Sequence, residues 1–120
     1  MNDRGDKMAV RVFSENPKGL LARVKASIQD GSIETWSVDT DGDFTHTPEQ
    51  WRNRAWFRPV VSEDRLIFYI LGPKSKPLSR TVYGIYHGRL IEMFLTHFDQ
   101  KFSRASATAL PITGDRIGGK

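Results

Sequence analysis

Apolar and polar positions alternate from Met8 to Phe13, with Met8, Val10 and Val12 on one side of an extended chain and Ala9, Arg11 and Phe13 on the other. That period of two predicts a strand with one face on a core and the other less buried. The period then lengthens. Leu20, Val24 and Ile28 recur at helical spacing, Asn16 suits an N-cap, and Pro17 falls at the first helical position, where its missing N–H costs nothing. Gly31 after Asp30 is a left-handed stop, so a helix is predicted over about residues 17 to 30.

Ile33 to Asp39 carries β-compatible types, and Asp41-Gly42 is a hairpin-turn signal with a short return strand at about 43 to 46. A two-residue loop would set Phe44 opposite Asp39, away from Trp36 and Val38, so either the loop is longer or both faces are covered. Thr47-Pro48-Glu49-Gln50 has the form of a capping box and predicts a single helical turn carrying Trp51. Ala55 to Val61 and Leu66 to Leu71 are the clearest strands, joined by the polar loop 62–65, and the second is apolar throughout, as a strand covered on both faces would be.

A basic, breaker-rich loop follows at 72–77. Beyond it Ser79 caps a predicted long helix, 79 to 103, in which Val82, Tyr86, Leu90, Phe94, Phe98 and Phe102 repeat every four residues. Residues 81–87 also alternate in the manner of a strand, but the helical period continues far longer. Periodicity is lost from about residue 104. The expected organisation is a flexible N-terminus over 1–7, one domain over 8–103 and a flexible C-terminal tail over 104–120. The fold class is α+β: a two-layer sandwich with both helices on one face of an antiparallel or mixed sheet of about five strands.

Composition narrows the function classes. The 120 residues contain no Cys, which excludes disulfides, thiolate zinc sites and thiol nucleophiles, and a chain of this length supports one core. Mean hydropathy is −0.46 and no apolar run approaches the ~18 residues of a membrane span. The opening MNDRGDKMAV has no apolar core of a secretory signal, so the cytoplasm is the expected address, with no membrane partner. The formal charge of +4 hides a segregation: residues 30–49 hold six acids and no Lys or Arg, whereas residues 50–91 hold eight bases against Glu63 and Asp64 alone. Such a layout steers a charged partner or pairs internally on folding.

The hairpin over 55–71 carries the most informative inference. Closed in register, it pairs Val61 with Leu66, Pro59 with Phe68, Arg58 with Tyr69, Phe57 with Ile70 and Trp56 with Leu71. Phe57, Pro59, Val61, Leu66, Phe68 and Ile70 then form the helix side. The opposite face holds Trp56, Arg58, Val60, Ile67, Tyr69 and Leu71, too apolar to be simply solvated. A partner protomer, the chain's own tail or a ligand could cover it. Single-stranded nucleic acid is one option, since unpaired bases stack on aromatic and guanidinium planes while Arg52, Arg54, Lys74 and Lys76 track phosphates. A plainer account of Arg52, Arg54 and Arg58 is that they reach back to the acidic 30–49 segment. The expected binding surface is Trp56, Arg58 and Tyr69 with Arg52 and Arg54, used for self-association or for another protein.

Other constellations are weaker. Asp39, Asp41 and Asp43 stand at alternate positions as calcium ligands do, but Phe44 and Gln50 occupy the positions where the loop needs Gly and Glu, so no metal is expected. His87 falls on the apolar arc of the second helix, which suits a buried, hydrogen-bonded imidazole. Arg89 and Glu92, three apart, form an intrahelical pair. An acid–base enzyme is conceivable from His87, Arg89 and Glu92 with His46 or Asp43 brought across, and no cofactor motif accompanies it. Gly84 and Gly88, four apart, would let another backbone approach the helix. The run from Gly42 to Trp51, with Tyr86-His87-Gly88-Arg89, resembles a group of short bacterial proteins of uncharacterised function over most of residues 8–103; this resemblance implies no activity, ligand or catalytic residue. The expected function is a non-catalytic interaction module, a homodimer in the first instance.

Overall fold

The computed structural model describes residues 10–74 and 78–108. The expected flexible segment 1–7, Lys76 and the part of the expected tail beyond residue 108 lie outside the described residues. Six strands and two helices follow in the order β1 (Val10–Phe13), α1 (Pro17–Gln29), β2 (Trp36–Val38), β3 (Phe44–His46), β4 (Trp56–Val61), β5 (Arg65–Leu71), α2 (Arg80–His97) and β6 (Arg104–Ala107). The sheet order is β2-β3-β4-β5-β1-β6 and every pairing is antiparallel. Both helices pack on one face, so the fold is the expected α+β two-layer sandwich with one strand more than anticipated.

Local chemistry sets the ends of α1. The Asn16 side chain accepts from the Gly19 N–H at 3.1 Å, Pro17 occupies the first turn, and Gly31 at φ +87° ends the segment. Leu20 and Val24 are buried against the sheet. Ser79 caps α2 by accepting from Val82 N–H at 3.1 Å, and the competing strand over 81–87 is not formed.

Three boundaries differ from the sequence expectation. First, α2 stops at His97 instead of running to 103, with Phe98 at its C-cap. Phe98 and Phe102 still pack on Phe94, with ring centroids 6.0 and 5.8 Å away. The four-residue repeat therefore continued through a turn that buries the same side chains without helical backbone. Second, residues 104–107, assigned to the tail, form β6 beside β1, and Ala105 packs against the core. Small residues at 105 and 107 alternate with Arg104 and Ser106, a period of two with too little hydrophobicity to register as a strand. Third, the capping box over 47–50 is not formed. Thr47 Oγ1 donates instead to Glu34 O at 2.8 Å, while the expected single turn carrying Trp51 is present, closed by Trp51 and Arg52 N–H on Pro48 O.

The β2–β3 register resolves the position of Phe44. Val38 pairs with Phe44, Asp39 N–H bonds to Asp43 O, and three residues turn the chain, with Gly42 at φ +86° in the left-handed position such loops require. Phe44 thereby joins Trp36 and Val38 on the helix side. Rings of Phe44 and Phe57 meet Phe68 edge-on at 5.7 and 6.1 Å, and Phe94 of α2 lies 5.7 Å from Phe68, making an aromatic centre to the core. Among the described residues no helix is long and apolar enough to cross a membrane.

Candidate functional site

The β4–β5 hairpin has the register expected from its loop, pair for pair from Trp56↔Leu71 to Val61↔Leu66. Phe57, Leu66, Phe68 and Ile70 are fully buried on the helix side. Trp56, Arg58 and Tyr69 are half-buried on the other side, with Val60 40% exposed. Ile67 and Leu71 are buried yet stand outside the helix-side cluster. Among the described residues no helix packs on this face.

Arg58, at the centre of the face, makes a two-pronged contact with Asp43. Its Nε donates to Oδ1 at 2.9 Å and a terminal nitrogen donates to Oδ2 at 2.7 Å. The bond raises the Arg58 pKa further above its usual value, with Asp41 and Asp39 adding to the effect. Asp43 is fully buried. The acidic segment thus answers this arginine directly, because the Phe44↔Phe57 pairing sets Asp43 beside Arg58. Arg52 and Arg54 belong to the exposed turn before β4 and to no strand of the face. Arg52 Nε donates to Thr47 O at 3.3 Å.

Towards β6 the same face carries residues that sequence reasoning missed. Phe13 pairs with Arg65 on one side and Arg104 on the other, and both guanidinium groups lie over its ring, 5.5 and 4.2 Å from the centroid. Arg11 projects on this side too, opposite Ile67 and Ser106. The alternation of β1 placed Arg11 and Phe13 on the less buried face, but nothing in the sequence showed that Arg65 and Arg104 would flank them. A cleft of about 640 Å³ opens beside this row, lined in part by Ser14, Asn16, Asp64, Lys101 and Arg104. None of the candidate binding or catalytic residues from the sequence lines it.

The His87, Arg89 and Glu92 constellation is not assembled. His87 is 5% exposed, stacked on Tyr83 with centroids 3.8 Å apart and edge-on to Phe57 at 5.3 Å. Its Nδ1–H donates to Tyr83 O at 2.6 Å, leaving Nε2 buried without a partner. Burial drives its pKa down to about 4. Arg89 and Glu92 bond to each other at 3.0 Å on the exposed side of the helix. The imidazole that feels their charges is His46 of β3, which is buried, bonded through Nδ1 to Thr35 O at 2.8 Å, and lowered in pKa chiefly by desolvation.

Tyr86 ties this end of α2 to the loop before β4. Its hydroxyl donates to Trp51 O and meets Thr45 Oγ1 at 3.1 Å, which in turn donates to Ala55 O at 2.9 Å. Asp39, Asp41 and Asp43 bring carboxylate oxygens within 4.8 Å of one another. Asp39 Oδ1 accepts the Asp41 and Asp43 N–H groups, and Asp43 holds Arg58 with both oxygens, so the arrangement is that of a turn and an ion pair. A Cβ at Gly84 or Gly88 would meet nothing within 4 Å, so the sheet does not make the close approach these glycines would allow. Comparison with known protein families, with curated proteins and with solved structures finds no significant match.

Proposed function

We propose that the chain is a small cytoplasmic, non-catalytic interaction module of bacterial type that self-associates through the sheet face opposite its helices. The observation that carries this reading is the composition of that face. Trp56, Tyr69, Val60, Ile67 and Leu71 surround a guanidinium whose charge Asp43 already answers. Trp, Tyr and Arg on a largely apolar ground is the composition of protein–protein contacts, where charged residues are depleted at the centre. Light scattering over a dilution series checks it. The wild type should move between monomer and dimer, and Trp56→Ala combined with Tyr69→Ala should stay monomeric while retaining its circular dichroism. A wild-type monomer at every concentration would sink the reading.

A second reading, single-stranded nucleic acid on the same face, is favoured by the Phe13 ring flanked by Arg65 and Arg104. Titration of labelled oligonucleotides at two salt concentrations separates the two, since phosphate contacts weaken steeply as salt rises.

A further inference from the structure

The charges on the helix-free face are arranged so that the face complements a rotated copy of itself. The order β2-β3-β4-β5-β1-β6 divides evenly between β4 and β5. On one side of that line stand Asp39, Asp41 and Asp43 of the β2–β3 turn, gathered near Arg58. On the other stand Arg104 and Arg11 around Phe13, with Arg65 beside them paired to Asp64 at 3.5 Å. Register places the acidic turn and the Phe13 row at the same end of the strands. Asp43 precedes Phe44, which pairs with Phe57 as β4 climbs towards Val61, and Val61 meets Leu66 beside the Arg65↔Phe13 pair.

A half-turn about an axis parallel to the strands exchanges left and right while keeping each residue at its own end. A half-turn about an axis across the strands exchanges the ends instead. Only the first brings the acidic corner of one copy over the basic corner of the other, and by symmetry it does so twice. We propose, on the self-association reading above, that a second copy of this chain covers the face about a two-fold axis running parallel to the strands between β4 and β5, with Asp39 and Asp41 of each protomer opposite Arg104 of its partner.

The centre of such an interface is consistent with its rim. Residues that pair across β4 and β5 then oppose each other between protomers: Arg58 faces the Tyr69 ring, Val60 faces Ile67, and Trp56 faces Leu71. Sheets stacked in this way lie about 10 Å apart with strands crossing at about 30°, so the corners stay in reach of long Arg side chains. The six strands, most of them only three or four residues long, give a footprint of roughly 430 Å² per protomer at about 3.3 Å per residue and about 4.8 Å between strands. Two such faces come to about 850 Å², short of the ~1,000 Å² of a stable specific interface, so the dimer is expected to be weak and rapidly reversible.

The test is a charge exchange in the full chain. Sedimentation equilibrium is measured for the wild type, Arg104→Glu, Asp41→Arg and the double variant, each first checked for native circular dichroism. Arg104 and Asp41 are both exposed, so the fold should tolerate either change. Each single variant should raise the dimer dissociation constant by about tenfold or more, and the double variant should recover most of that loss. Dimers indifferent to both single changes would overturn the axis and leave self-association standing. Single variants that weaken the dimer without recovery in the double would overturn the pairing of these corners. A wild type that is monomeric throughout would overturn both the axis and self-association, and salt-sensitive oligonucleotide binding by that monomer would assign the face to nucleic acid instead.

Discussion

Arg58 and Asp43 show how one pair can decide the character of a surface. Asp43 has no exposure at all, and a buried carboxylate is tolerated only where hydrogen bonds and an opposite charge compensate its lost hydration. Arg58 supplies both with two bonds of 2.9 and 2.7 Å. Arg58→Ala should therefore destabilise the fold by about 3 kcal/mol, read from urea unfolding, because it strands a buried charge. Arg58→Lys should recover less than half of that loss, since an ammonium cannot match both oxygens at once. A variant pair equal to wild type would show the bond to be incidental. The sequence displayed the acids before residue 50 and the bases after it, so internal pairing was foreseeable. Which acid meets which base was not, because that depends on the β3–β4 register, set by a single cross-strand pair, Phe44↔Phe57.

At the scale of elements, legibility followed the strength of local signals. Helix α1 announced itself by Asn16, Pro17 and Gly31, and the β4–β5 register followed from a four-residue loop between apolar runs. The end of α2 was hidden because Phe98 and Phe102 satisfy the core from a turn, so the hydrophobic period outlasted the helical backbone. Strand β6 was hidden because its inward positions are only Ala105 and Ala107, whose pairing with β1 is a tertiary event. The exposed side of α2 offers a clean measurement. Gly84 and Gly88 lie inside the helix with open space where a Cβ would stand. Alanine at either position should stabilise the protein by about 0.5–1 kcal/mol through helix propensity and a less flexible unfolded chain. The effects should be nearly additive, and the sheet-face dimer should be untouched. If the two alanines instead abolish association while raising the melting temperature, α2 and not the sheet forms the contact between copies.

For the whole molecule, the single aromatic core couples every element to the protonation of two buried imidazoles. His87 has a pKa of about 4 in the folded protein against an ordinary value of 6.5, and His46 is lowered too, both chiefly by desolvation. Between those two values the unfolded chain binds a proton at position 87 that the folded chain refuses. The contribution to stability is therefore complete above pH 6.5 and is lost as pH falls towards 4. For His87 the loss amounts to about 3 kcal/mol by pH 4, a large share of the margin of a domain this size. Because Tyr83, Phe57 and Tyr86 contact these rings directly, charging either one loosens sheet and helix together, and unfolding should remain a single transition. His87→Phe keeps the stack on Tyr83, removes the unpaired Nε2 and leaves the Tyr83 carbonyl to its place in the helical ladder. Urea unfolding at a series of pH values between 7 and 4 should then give a shallower fall for His87→Phe than for the wild type, by about 3 kcal/mol at the acid limit, with near-equal stability at pH 7. Parallel curves for the two proteins would mean that the acid sensitivity resides in the carboxylates, and that His87 remains neutral in the unfolded chain as well.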